Sequence, residues 1–75
     1  MTIEELKKTY NVVIAREIKA EKFLEDRNIS QAKKESWLPE FENITIQLSL
    51  LMREYKSLVG EEMPIKNILG GFENV

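Results

Sequence analysis

Apolar residues recur along the first third of the chain at helical spacing. Ile3, Leu6, Tyr10, Val13, Ala20 and Leu24 follow one another at intervals of three, four and seven, and trace one stripe of an α-helix. Lys8, Lys19 and Lys22 fall on the other side, where they face water. Thr2-Ile3-Glu4-Glu5 reads as a capping box: Thr2 accepts from the Glu5 amide, and Glu5 reaches back to Thr2. The pattern predicts a helix over residues 3–25, broken at Asp26-Arg27-Asn28-Ile29.

The second half carries a stronger seam. Trp37, Phe41, Ile44, Leu48, Leu51, Tyr55 and Leu58 alternate in steps of four and three, and Met52 and Val59 widen the stripe. Ser30 is a good N-cap, and Gln31 to Glu35 are good helix formers. Pro39 removes a donor and pushes Leu38 out of helical angles. Either a short helix ends near Trp37 and another begins at Pro39, or one helix kinks there. The favoured reading is a break: a short helix over 30–36, with Trp37 turned toward the core, then a long helix over 39–59. Gly60 stands where a left-handed cap belongs. Pro64 opens a last short helix over 64–69, and Gly70-Gly71 close it. Residues 73–75 are expected to fray. The fold predicted is all-α: an antiparallel hairpin of two long amphipathic helices, with short helices near Ser30 and Pro64, in one domain spanning 1–75.

Size changes how this hairpin should be regarded. A chain of 75 residues buries only about 60% of the surface it exposes when unfolded, and chains so short commonly draw on a disulfide, a metal or a second subunit. Cys and His are both absent, which removes disulfides, thiolate metal sites and the commonest general base. Self-association is the remaining way to add buried area. At 43% hydrophobic and 32% charged, the chain is too apolar for disorder and too charged for a membrane protein. Residues 1–15 hold no apolar run of the secretory kind, so a cytoplasmic location is expected. Without secretion, Asn28-Ile29-Ser30 and Asn43-Ile44-Thr45 are chance matches to the glycosylation pattern.

Charge is uneven. Residues 1–36 hold eight Lys/Arg against seven Asp/Glu, and residues 37–75 hold three against six. That asymmetry suits two helices that attract each other. The lysines are interleaved with glutamates, and no helix clusters Arg, Asn or Gln for reading bases, so a nucleic-acid-associated regulator is the weaker reading.

Three features depart from a plain hairpin. Glu17 lies in register with Ile3, Tyr10 and Leu24. It either stays wet or pairs with Arg53 or Lys56 across the hairpin, or else it is a polar contact for a partner. Ile46 and Leu50 lie opposite the seam of the long helix, which is therefore apolar on two sides. They are covered either by the tail segment Ile65, Ile68, Leu69 and Phe72, or by a neighbouring chain. Third, Gln47-Leu48-Ser49-Leu50-Leu51 resembles the short peptide by which many bacterial proteins dock on the replication sliding clamp, with Leu51 in place of an aromatic. That peptide docks in an extended form, whereas Leu48 and Leu51 belong to the helical seam.

Finally, the opening Met1 to Tyr10, the central Trp37-Leu38-Pro39-Glu40-Phe41 and the closing Gly71-Phe72 resemble small uncharacterised proteins encoded by phages and prophages of Gram-positive bacteria. The resemblance implies an accessory or regulatory role and transfers no site residue. The sequence thus predicts a non-enzymatic helical interaction module that binds itself or a host protein, with Ile46, Leu50, Glu17 and Phe72 as the interaction residues. It predicts no cofactor, metal or catalytic group.

Overall fold

The computed structural model describes residues 1–73 and 75. Asn74, within the end expected to fray, lies outside the described residues. The described residues form two long helices packed together and a short third one: α1 (Ile3–Glu25), α2 (Gln31–Val59) and α3 (Ile65–Gly70), with no strand among them.

α1 starts where its capping box places it. The Glu5 amide donates to Thr2 Oγ1 at 3.1 Å, and the Thr2 amide donates to Glu5 Oε1 at 3.5 Å. Two of the four donors that a helix start leaves unpaired are satisfied locally. Asp26 ends the helix in extended geometry. Ser30 then caps α2 by accepting from the Lys33 amide at 3.3 Å.

The break expected at Pro39 does not occur. α2 runs through it as one helix of 29 residues, so the separate helices expected over 30–36 and 39–59 are a single element. Proline at this position forfeits the bond to the Glu35 carbonyl and crowds it, at a cost of about 3 kcal/mol. Contacts on both sides offset that cost. Trp37, before the proline, packs on Phe23 of α1 at 5.3 Å between ring centroids, and Phe41, after it, packs on the core. Both segments are thus held against α1. Trp37 does not turn inward as expected: it remains 40% exposed and covers Phe23 from outside.

The core lies between the two long helices. Leu6, Tyr10, Val13, Ile14 and Ala20 from α1 meet Ile44 and Leu48 from α2, with Met63 closing one end. The seam of α2 is buried only in its middle, and Leu58 is exposed at its end. α2 ends at Gly60, whose φ of 85° is left-handed and whose amide donates to the Lys56 carbonyl at 2.8 Å.

α3 packs on α1. Pro64 is its cap rather than its first residue. Tyr10 Oη donates to the Ile68 carbonyl at 2.8 Å, and Phe72 inserts its ring between Tyr10 and Tyr55. Of the tail, Ile68 and Phe72 pack on the core while Ile65 and Leu69 stay exposed, and Ile46 and Leu50, which either the tail or a neighbouring chain was expected to cover, are 57% and 55% exposed.

The molecule measures 43 × 21 × 18 Å. The long dimension is the length of α2 at about 1.5 Å per residue, and the other two each hold about two helix diameters.

Candidate interaction surface

One side of the α1/α2 pair carries α3; another side is open. The open side bears a shallow groove of about 220 Å³ lined by Thr9 and Val13 of α1 and by Gln47, Leu50 and Leu51 of α2. Its wall is almost wholly apolar.

The rims of this groove follow from helical spacing. On α1, Lys8, Val12 and Arg16 step by four, one position aside from Thr9 and Val13, and all three are exposed. On α2, Glu42, Ile46, Leu50 and Glu54 step by four and are likewise exposed. Neither row is of one charge sign, since Glu5 is exposed beside the α1 row and Arg53 beside the α2 row. Val12 at 55% exposure, Ile46 and Leu50 are large aliphatic side chains held in water by a rigid backbone. Clustered exposure of this kind marks contact surfaces.

The four residues singled out in the sequence are not brought together. Leu50 lines the groove, and Ile46, one turn before it, is exposed outside the lining. Phe72 lies elsewhere: its amide donates to Asn11 Oδ1 at 2.6 Å, its carbonyl accepts from Asn11 Nδ2 at 2.9 Å, and the Lys7 ammonium stands 5.4 Å above its ring. It is an intramolecular clamp. Glu17 is partly buried on the core side of α1 and makes no ion pair with Arg53 or Lys56; the ion pair among the described residues joins Lys56 to Glu62 at 2.8 Å. Burial, and then the neighbouring Glu21, push the Glu17 carboxyl above its ordinary range. Burial, and then Glu17, raise the Tyr10 phenol.

The sequence pattern did not point to Thr9, Val13 and Gln47 as groove residues. The signal was the run Val12-Val13-Ile14-Ala15, which is too apolar for a helix with one buried stripe.

A second, polar hollow of about 380 Å³ lies at the C-terminal end, lined by Lys66, Asn67, Gly70, Gly71, Phe72 and Glu73. No cluster of three acidic, histidine or cysteine side chains suited to a metal occurs among the described residues. No helix among them is long and apolar enough to cross a membrane. Gln47 to Leu51 is helical throughout, with Leu48 buried, so presenting it as an extended peptide requires α2 to open at its centre.

Comparison with protein-family models, with curated proteins and with solved structures yields no match.

Proposed function

We propose that this chain is a non-enzymatic helical protein–protein interaction module, built as an antiparallel hairpin of α1 and α2, that engages a partner through the groove between Val13 and Leu50. The hairpin reading is supported at both ends. Only five residues connect the helices; Phe23 meets Trp37 beside that connection, and Tyr10 and Tyr55 share Phe72 at the far end. A non-catalytic role agrees with a sequence that holds no His and no Cys. A place among phage or prophage accessory or regulatory proteins, acting in the bacterial cytoplasm, rests on the resemblance of Met1–Tyr10, Trp37–Phe41 and Gly71-Phe72.

The observation that carries the interaction reading is the groove itself. It is apolar, it is lined from two rigid helices, and the tail that had the composition to cover it is fastened elsewhere by Asn11 and Tyr10. A photo-crosslinking amino acid at Leu50, in the full chain expressed in bacterial cells, tests it. Irradiation is expected to yield a covalent protein adduct at Leu50 and none at Lys22, an exposed position on the far side of α1. Equal or absent adducts at the two positions would sink the reading.

A further inference from the structure

We infer that residues 64–73 are a strap that opens as one unit while α1 and α2 stay packed, and that it closes over a site for a partner protein's non-helical segment carrying glycine followed by an aromatic residue. The site is made by Lys7, Tyr10, Asn11 and Tyr55, none of which lines the groove between Val13 and Leu50.

α3 does not stand on its own. It has six residues, no side-chain cap and no buried residue, and a helix that short is unstable in water without tertiary support. Ile65 and Leu69 are 74% and 72% exposed. Support comes from partly buried Ile68, from three hydrogen bonds and from one ring. Tyr10 Oη holds the Ile68 carbonyl, the Asn11 carboxamide holds the amide and carbonyl of Phe72, and the Phe72 ring lies between Tyr10 and Tyr55. The Asn67 carboxamide donates to the Gly71 carbonyl at 2.9 Å and so ties α3 to the residue before Phe72. Release of Phe72 therefore takes α3 with it. Met63 is buried in the core, so the strap begins at Pro64. Segments with so few buried contacts open at a lower cost than global unfolding.

What lies under the strap is selective. Asn11 bonds both backbone groups of one residue; inside a helix those groups are engaged along the axis, so the site reads non-helical backbone. Around the Phe72 ring stand Tyr10 edge-on at 5.7 Å, Tyr55 stacked at 5.8 Å and the Lys7 ammonium at 5.4 Å, which together favour an aromatic side chain. The residue before it has φ of 77°, and a Cβ there runs into the Asn11 carboxamide oxygen, which favours glycine. Main-chain bonds supply affinity and the two side-chain positions supply choice. Opening bares Tyr10, wholly buried in the closed form, together with the Asn11 carboxamide.

Native-state hydrogen exchange on the full chain tests both halves, with circular dichroism to verify helix content. The amides of Asn67, Ile68 and Gly71, which bond within the α3 turn, and of Phe72, which bonds to Asn11, are expected to share one protection, about tenfold or more below that of Leu48 in α2. Tyr10→Phe removes the bond to Ile68 and Asn11→Ala the bonds to Phe72, yet each is expected to lower all four protections by a common factor. A blocked peptide of residues 68–73, at about the millimolar concentration that a short tether gives the strap itself, is expected to lower the four by about twofold or more and to leave Leu48 unchanged. The same peptide with Gly71→Ala is expected to have no effect. Strap amides as protected as Leu48 overturn the inference, and so do α3 amides that stay protected when Phe72 is released. A peptide without effect, or one equally effective with Gly71→Ala, overturns the site beneath the strap.

Discussion

Asn11 and Phe72 exchange two hydrogen bonds across sixty-one residues of sequence: the Asn11 carboxamide donates to the Phe72 carbonyl at 2.9 Å and accepts from the Phe72 amide at 2.6 Å. One side chain in the middle of α1 thereby satisfies both backbone groups of the second residue after α3. Phe72 is thereby held beside Tyr10 and Tyr55, while Ile46 and Leu50 stay exposed.

Asn11→Ala removes both bonds and leaves the Phe72 amide and carbonyl to water or to nothing. The expected loss is about 1–3 kcal/mol by urea titration. Amide exchange at Phe72 should quicken while exchange in the middle of α2 does not. Unchanged stability together with unchanged Phe72 exchange would show that the clamp holds nothing in place.

Gly60 and Gly71 both have positive φ, 85° and 77°, yet their surroundings differ. A Cβ at Gly60 meets open space, whereas one at Gly71 runs into the Asn11 carboxamide oxygen. Gly60→Ala is expected to cost about 1–2 kcal/mol, the left-handed backbone penalty alone. Gly71→Ala should cost clearly more, and Asn11→Ala in the same chain should recover part of the difference. Equal melting temperatures for the two single variants would contradict this account of Gly71.

Glu17 gives the molecule a pH dependence of known sign. Burial and Glu21 raise its carboxyl in the folded state, so the folded chain binds that proton more tightly than the unfolded chain does. The group therefore opposes folding at neutral pH. That opposition is relieved as pH falls through the raised value toward the ordinary glutamate range. Glu17→Gln is expected to raise the melting temperature at pH 7, with the gain shrinking as the pH approaches 4. A gain that is the same at both pH values would assign the effect to something other than this proton.

Pro39 stands inside α2 without ending it. Pro39→Ala restores the amide that can donate to the Glu35 carbonyl and removes the ring that crowds it, so the variant is expected to gain about 1–3 kcal/mol. Amides from Gln31 to Trp37 should exchange more slowly. A loss of stability would mean that the proline sets a bend on which the Trp37–Phe23 packing depends.

The helices and most of the core could be read from the sequence, because spacing, caps and glycines all pointed the same way. Thr2, Ser30 and Gly60 mark helix ends through short-range chemistry, and Leu6, Tyr10, Ile44 and Leu48 mark the buried seam through period alone. Pro39 was misjudged because local geometry was weighed without the tertiary contacts of Trp37 and Phe41 that hold its two flanks in line. The place of Phe72 is hidden for a related reason. Its apolar character says that it will be covered, but its seat between Tyr10 and Tyr55 is set by Asn11 and Tyr10, through bonds to backbone groups that no periodicity displays. Ile46 and Leu50 were legible as a second apolar face; the groove that Leu50 lines was not, because its other wall comes from Thr9 and Val13, far away in sequence.

The most direct test of the open face as a contact surface is a photo-crosslinking residue at Leu50, which lines the groove, set against the same residue at exposed Lys22 in the full chain. A covalent protein adduct at Leu50 and none at Lys22 is the predicted result. Equal adducts at the two positions, or none at either, would contradict the account.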